Sequence, residues 1–566
     1  MMRGRKAEES MKDHRRKRTT SSSSSSSSSF FFFFLLCILL FSIVALSTFR
    51  LFGVSFRPVL ISTWQTPSMN AVGSDDLFPR RILPSRTPPG SPSTRIQEAV
   101  SFPDFLLLFV ERPPSSRAPA FANSELLCLY FPPSSPSSPN PKLPPVSSSD
   151  RDSFVRCPPA PRNFLVSLSL SPSLSLRPVP ALTWDRLAYS AVLDTQDNTT
   201  VVFAKGLNLR PARLSDPNRY ECVFGWQFGN PKYLLTSEAV SAAQEIFRCI
   251  TPLSVLHRAN VRPPPLVSIR TRGPRSFTLP SVARPEIISL PSGGRRKENK
   301  MCICTMVRNQ ARFLREWVAY HSRIGVERWF IYDNNSDDNI EEVVDSMSSV
   351  VNLHEWPWIK TQEAGFAHCA LRAKGSCEWV GFIDVDEFLH FPTNVTLQDV
   401  LRNYSSQPWV GELRTPCHSF GPSGKKEVPT EGVMLGYTCR MAAPERHKSI
   451  VRPEALNHSL INIVHHFDLA EGKSYVNMDR YMVINHYKYQ VWEVFKEKFY
   501  RRVATYVTDW KDEENVGSKD RAPGLGTKPV EPPDWSTRFC EVNDTGLRDW
   551  VLSEFVDRSS GGGLSW

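Results

Sequence analysis

Downstream of residue 300 the chain alternates short apolar runs with amphipathic stretches. Met301 to Val307 predicts a strand. Ala311 to Arg323 predicts a helix, with Phe313, Trp317, Tyr320 and Ile324 at helical spacing and Gly325 as its stop. Trp329–Tyr332 reads as a second strand, Ile340–Met347 as a short helix and Val350–Leu353 as a third strand. Thr361–Ala373 is the next helix and Trp379–Ile383 the fourth strand. Strands alternating with helices predict an α/β domain, here placed at 298–556, with a parallel sheet and right-handed crossovers.

Polar residues punctuate the end of each strand. Arg308 and Asn309 follow the first, Asp333 to Asp338 the second, and Asp384, Asp386 and Glu387 the fourth. Open α/β sheets bind ligands at the carboxyl ends of their strands. Two aspartates one residue apart at such an end can share a hard divalent cation such as Mg²⁺ or Mn²⁺. Asp150-x-Asp152 has the same spacing but sits in a Ser/Pro-rich stretch with no strand before it. The plainer reading of Asp384 and Asp386 is a pair of capping or turn residues. The chain carries neither G-x-G-x-x-G nor a Walker sequence, which argues against kinases, P-loop enzymes and ordinary dehydrogenases. A metal would then do the phosphate work of a glycine loop.

Upstream, Thr199–Ala204, Tyr220–Phe228 and Tyr233–Leu235 read as short strands of a small β domain, 181–262. Its aromatic residues suit either sugar binding or a purely structural sandwich. A Pro/Arg/Gly-rich linker, 263–297, follows. Residues 50–180 are rich in Ser, Pro and Arg and include the Leu/Ser alternation Leu165 to Leu176; such composition predicts a disordered stem. Phe105–Val110 is apolar but far too short to span a membrane. Near the other end, Val491–Lys496 and Phe499–Tyr506 predict an amphipathic helix whose aromatics pack the core.

Charge and cysteine content place the chain in a compartment. The net charge is +11, yet Arg3, Arg5, Lys6, Lys12, Arg15, Arg16, Lys17 and Arg18 crowd the N-terminus, and no basic folded module for nucleic acid is legible. The apolar run Phe30 to Leu46 extends to Phe49, long enough to cross a bilayer. With basic residues before it, the expectation is a single-pass type II signal anchor at 30–49, a cytosolic tail at 1–29 and a lumenal remainder. No small-x-small cleavage site follows the run, which disfavours a cleaved signal peptide. Twelve cysteines fit an oxidising lumen, and none has zinc spacing. Cys302 and Cys304 share one face of a strand and read as small core residues; Cys222 with Cys249 is a plausible pair. Sequons at Asn198, Asn334, Asn394, Asn403, Asn457 and Asn543 suit a secretory route, although a glycan on Asn334 would block the strand-end pocket.

Several rarer motifs recur in one order. They are Cys304-Thr305-Met306-Val307-Arg308-Asn309, Tyr332-Asp333-Asn334-Asn335-Ser336-Asp337-Asp338, Trp356-Pro357-Trp358-Ile359-Lys360-Thr361-Gln362 and Asp384-Val385-Asp386-Glu387-Phe388. His447-Lys448-Ser449-Ile450-Val451-Arg452-Pro453, Val464-His465-His466-Phe467 and Asn485-His486-Tyr487 continue the series. Together they resemble plant glycosyltransferase family 92, the DUF23 proteins, over roughly residues 183 to 556. The resemblance implies a GT-A, Rossmann-like fold in a type II Golgi membrane protein. It also implies inverting, metal-dependent transfer from a nucleotide sugar; the best-understood plant relatives are β-1,4-galactan galactosyltransferases using UDP-galactose. They carry an N-terminal β-sandwich resembling a carbohydrate-binding module, which residues 183–260 would match.

Carried over residue by residue, the resemblance assigns Asp384 and Asp386 to Mn²⁺ (or Mg²⁺). It assigns Thr305, Arg308, Asn309 and Asp333 to the nucleotide, and Lys448 and Arg452 to leaving-group charge. His465 is the candidate further metal ligand, with His466 and His486 behind it. Only one of His465 and His466 can face the site from a strand. An inverting transfer needs a general base; Glu445 and Asp468 are candidates and Glu387 a weaker one. The expected partners are a UDP-sugar, a cell-wall polysaccharide or other glycan acceptor and the membrane, with a homodimer left open. Competing readings are a catalytically silent sugar-binding or scaffold protein on the same fold, and a nucleotidyltransferase.

Overall fold

Near-continuous apolar strands have no face to offer water, so they become the centre of a sheet covered on both sides. In the computed structural model β1 (Asn299–Val307), β2 (Arg328–Asp333), β3 (Val351–Glu355) and β4 (Cys377–Phe382) are mutually parallel. They are joined by α1 (Ala311–Arg323), α2 (Ile340–Asp345) and α3 (Gln362–Ala373). Then come β5 (Glu387–His390), β6 (Val410–Ser419), β7 (Arg446–Val451), β8 (Ser474–Asn477), β9 (Val483–His486) and α4 (Trp492–Tyr506). The nine-stranded sheet runs β3-β2-β1-β4-β7-β6-β9-β5, with β8 paired to β6. Residues 94–111, 126–134, 138–149, 154–171, 174–207, 215–226, 228, 231–257, 264–288, 297–463, 465–506 and 530–555 are described.

Side-chain alternation along β1 divides the core in two. Met301 and Ile303 pack with Leu314, Trp317 and Val318 of α1, whereas Cys302 and Cys304 face α3 and the N-terminal layers. The cysteines lie on one face, as expected, but they are not merely small packing residues. Cys302 is bonded to Cys377 at the start of β4, and Cys304 to Cys369 on α3. Cys222–Cys249, Cys128–Cys157 and Cys439–Cys540 are also disulfides, and Cys417 is the buried free thiol among the described residues.

From residue 94 on, the described part of the stretch expected to be a disordered stem is a β-sandwich. Arg95–Ser101, Leu106–Glu111, Ser147–Ser149, Phe154–Cys157 and Leu182–Thr183 form one five-stranded sheet. Leu127–Phe131, Lys142–Leu143, Leu165–Ser171, Leu174–Ser175 and Val179–Pro180 form the other. Proline suppresses regular structure only where a ladder N–H is needed. The short apolar run at Phe105 is a strand buried between neighbours, and the Leu/Ser alternation is a strand with period two.

A seven-stranded sheet follows, from Leu187–Asp194 to Pro285–Ile287. It takes Leu266–Thr271 and Pro285–Ile287 out of the expected linker, because each pairs with a strand of the small β domain. Both N-terminal layers dock on the α3 side. Trp358 stacks on Trp184 at 5.5 Å and on Phe109 at 6.0 Å, so the Trp-Pro-Trp segment is interdomain core. The expected anchor, 30–49, lies outside the described residues, among which no helix is long and apolar enough to cross a membrane.

The two disulfides on β1 tie its middle to β4 and α3. Cys302–Cys377 spans 75 residues, and closing so long a loop restricts the unfolded chain by about 4 kcal/mol. The Cys302→Ala/Cys377→Ala double variant is therefore expected to unfold at markedly lower denaturant concentration, read by tryptophan fluorescence. An unchanged midpoint would contradict this.

Candidate active site

β4 ends at Phe382, and the chain turns through Asp384, Val385 and Asp386 before β5 begins at Glu387. The turn is closed by its own residues: the Glu387 N–H donates to the Asp384 carbonyl (3.0 Å), and the Asp384 N–H donates to Glu387 Oε2 (2.9 Å). Both aspartate side chains are thereby presented at the carboxyl edge of the sheet. Asp384 is one-third exposed and Asp386 about one-tenth.

Each aspartate has its own lysine and its own histidine. β7 runs antiparallel to β4, with Val380 opposite Val451 and Gly381 opposite Ile450. Lys448 therefore projects toward the turn. Its Nζ lies 3.0 Å from Asp384 Oδ2, 2.8 Å from Glu387 Oε1 and 2.6 Å from His465 Nε2. His465 Nε2 is itself 3.4 Å from Asp384 Oδ2. Around Asp386, His486 Nε2 stands 3.4 Å from Oδ2, and the Lys498 ammonium of α4 contacts the same oxygen and lies 3.4 Å from His486 Nε2. β9 pairs with β5 so that His486 faces Glu387, whose Oε1 is 3.5 Å from His486 Nδ1.

These contacts set the protonation states. Burial works to raise both aspartates, but Lys448 with His465, and Lys498 with His486, outweigh it and hold each well below the ordinary carboxylate range. Glu387 goes the other way: burial, reinforced by the two aspartates against Lys448, pushes it up to about 8. Burial and the neighbouring lysines bring His465 and His486 down to about 4, so both are neutral at physiological pH. Burial also pushes the thiol of Cys417, which lies with Glu387 and His486, well above its usual value.

Not every expected residue joins this cluster. Arg452 follows β7 at the opposite end of β4: its Nη2 donates to the Tyr404 carbonyl (2.7 Å) and its guanidinium covers Trp379 at 4.6 Å. Four residues of strand carry the chain about 13 Å, so Lys448 and Arg452 cannot serve one site. Asp468 is exposed, and its backbone N–H and carbonyl pair with Ile461 and Asn457 in the ribbon behind His465. His466 turns away from His465, its Nδ1 2.9 Å from Ser449 Oγ. Glu445 is held by Lys488 Nζ (2.6 Å) and the Tyr489 hydroxyl (3.2 Å). Burial raises it, but Lys488 prevails, and His486 lies within electrostatic reach, so it stays ionised beside the cluster.

The ends of β1 and β2 form a second part of the edge. Thr305 is fully buried in β1, while Arg308 is half-buried at its end. Asn309 adopts φ 51°, donates its N–H to Ser336 Oγ (2.9 Å) and accepts from the Asp337 N–H (2.7 Å), locking the two loops together. Asp333 accepts from the Ser336 N–H at 3.1 Å, and burial raises it to about 6. Asn334 is buried and donates its amide to the Trp356 and Trp358 carbonyls (2.7 and 3.1 Å), so that sequon is occupied structurally. Sequence reasoning placed His486 behind His465 and missed Lys498, which read as part of an amphipathic core helix. The strand register opposite Glu387 was the available signal for His486; nothing local marks Lys498.

Residues 297–516 match the family model for glycosyltransferase family 92. A glycosyltransferase family 92 protein of Oryza sativa subsp. japonica is 59% identical over 532 residues, 91% of this chain and 89% of the rice protein. An Arabidopsis thaliana protein of the same description is 46% identical, covering 91% of this chain and 90% of its own. A galactan beta-1,4-galactosyltransferase of Arabidopsis thaliana is 28% identical over 196 residues, 31% of this chain and 38% of that protein. With an α/β sheet carrying an acidic, lysine- and histidine-bounded edge, and relatives this similar along most of its length, the chain belongs to glycosyltransferase family 92 and is a glycosyltransferase.

Proposed function

We propose that this protein transfers a hexose, with galactose the first candidate, from a UDP-sugar to a cell-wall polysaccharide or other glycan, inverting the anomeric centre and requiring a divalent cation. The observation that carries the reading is the convergence of Asp386 Oδ2 and His486 Nε2, 3.4 Å apart, with Glu387 behind the other imidazole nitrogen. A carboxylate oxygen, a neutral imidazole and the Glu387 carboxyl group orienting that imidazole make a donor set suited to Mn²⁺ or Mg²⁺. The Lys498 ammonium at that point indicates that the pocket accommodates a cation. Asp386 and His486 would hold the metal, with Asp384 beside them; His465, engaged with Lys448, is the less suited ligand. When bound, the ion would supply Lewis-acid stabilisation of the departing diphosphate.

The chain's own residues account for the remaining work. Lys448 keeps Asp384 ionised and presents a fixed positive charge where diphosphate charge develops. Glu445, ionised and open to solvent, is the candidate base. It takes the proton from the acceptor hydroxyl as that oxygen bonds to the sugar's C1 and the C1–O bond to UDP breaks from the opposite face. Galactose is suggested by the partial likeness to a galactan beta-1,4-galactosyltransferase. A type II Golgi location is proposed from the anchor sequence at 30–49. Five disulfides among the described residues and the exposed sequons at Asn198, Asn394, Asn403 and Asn543 support an oxidising, glycosylating compartment.

Two experiments test this. The first measures UDP release by the full-length protein in detergent over a panel of UDP-sugars, with β-1,4-galactooligosaccharide as acceptor, with Mn²⁺ and with EDTA. UDP-galactose turnover that EDTA and Asp386→Ala both abolish is expected. Turnover of another UDP-sugar alone would discard galactose, and no UDP binding at all would favour a silent, sugar-binding protein.

The second reads Mn²⁺ binding directly by calorimetry. Removing the carboxyl group behind a ligating histidine weakens metal affinity about 10–100-fold, the expectation for Glu387→Ala. Lys498→Met, which removes the competing ammonium, is expected to tighten it. Equal affinities in all three proteins would rule out this metal position.

A further inference from the structure

Arg156 belongs to the N-terminal sandwich, on the strand Phe154–Cys157, yet its head group reaches the loop after β2. Only 8% of the residue is exposed. Its contacts there are long for a guanidinium fork: Nη1 to Asp337 Oδ1 at 3.4 Å and Nη2 to the Ser336 carbonyl at 3.3 Å. Its Nε is buried without a hydrogen-bond partner among the described residues. Phe105 lies against the guanidinium, 5.9 Å from ring centre to Cζ. A buried guanidinium with poorly satisfied donors is costly to keep unless something else completes it.

The space beside it is a cavity of about 440 Å³, bounded by Arg156, Asp333, Asn335, Ser336 and Glu355 among others, and Arg156 is the one basic residue lining it among the described residues. The strand register fixes where this cavity lies. Glu355 faces Asp333 across β3 and β2, and Asp333 faces Val307 across β2 and β1. Cys304 faces Phe382 across β1 and β4, which brings Asp384 level with Met306. Asp333 is thus two strands from Asp384, about 10 Å along the carboxyl edge. That is the separation needed to place a nucleoside at Asp333 while its diphosphate lies at Asp384, Asp386 and Lys448.

The charge of the two ends agrees with this polarity. Lysines hold the aspartates at the β4 end, whereas carboxylates dominate the cavity wall at the β2 and β3 end. Such a wall repels phosphate and accepts hydrogen bonds from N–H and O–H groups, the surface that a ribose and an imide nitrogen present. The single guanidinium supplies the complementary donors for ring carbonyl oxygens.

We propose that Arg156 is a nucleoside-recognition residue of the donor site, so that the N-terminal sandwich completes the pocket for the base and ribose of a nucleoside diphosphate sugar. This rests on the nucleotide-sugar reading above. It makes the sandwich part of the donor site, in addition to any role in binding glycan.

The test compares wild type, Arg156→Met and Arg156→Lys as full-length protein, by calorimetry with UDP, uridine and inorganic pyrophosphate in Mn²⁺, with thermal unfolding recorded for each. Losing hydrogen bonds from a charged donor is expected to weaken UDP and uridine together, about ten- to a hundredfold. Pyrophosphate, which occupies only the β4 end, is expected to bind unchanged, and Arg156→Lys to restore part of the loss. Wild-type affinity for UDP and uridine in a folded Arg156→Met protein would overturn the proposal and leave the donor reading intact. Equal weakening of pyrophosphate would also overturn it, identifying Arg156 as a clamp between layers. Wild-type protein that binds none of the three would overturn the donor reading and this proposal with it.

Discussion

Two carboxylates one residue apart at a strand end, with a third immediately after, repel one another in a place that water only partly reaches. The surroundings of the Asp384–Glu387 turn answer that repulsion. Lys448 bridges Asp384 and Glu387, Lys498 meets Asp386, and two neutral histidines fill the remaining approaches. Glu387 relieves the crowding differently, by favouring its protonated form while its second oxygen caps the Asp384 N–H. An isolated buried charge costs several kcal/mol. The positions of β7, β9 and α4 are therefore tied electrostatically to the end of β4, on top of their apolar packing.

The central sheet was legible because its physics is local. Met301–Val307, Ala311–Arg323 and Trp379–Ile383 declare themselves by period and by what stops them, and the structure places those elements within a few residues of the expected bounds. The acidic turn was legible for the same reason: an abrupt change from apolar to charged residues marks the point where a strand leaves the core. Which histidine and which lysine meet it depends on pairing between segments distant in sequence. His486 is opposite Glu387 only because β9 adds to β5, and Lys448 and Arg452 part company only because β7 runs antiparallel to β4. Residue type alone gave Lys448 and Arg452 one role and put His465 ahead of His486.

The N-terminal half failed to show itself for a different reason. A high proline and serine content lowers the average apolar content of a stretch, which is what a compositional reading weighs. Folding depends on whether the apolar residues fall in register, and between Arg95 and Thr183 they do: Leu106, Leu108, Val155, Val166 and Leu168 are all buried, with Cys128–Cys157 closing the two sheets. Prolines there fall mostly between strands, where no ladder N–H is required.

Register also gives the sandwich a consequence for the site. Trp184, Phe102 and Phe109 pack on Trp358, which follows β3, and the Asn334 amide holds the carbonyls of Trp356 and Trp358. The loop after β2 is thus fastened on one side to the aromatic segment that carries the sandwich and on the other to Asn309 at the end of β1. On the far side of the site, Gln244 of the seven-stranded sheet exchanges two hydrogen bonds with the backbone of Asn462, and Arg248 donates to the His458 carbonyl. Those residues anchor the ribbon that brings His465 to Asp384. Both N-terminal layers therefore reach the carboxyl edge of the sheet through specific hydrogen bonds as well as through apolar contact. A chain cut at residue 181 would lose Arg156 together with Phe102 and Phe109, part of the aromatic cover of Trp358, so the smallest unit that preserves this edge includes the sandwich.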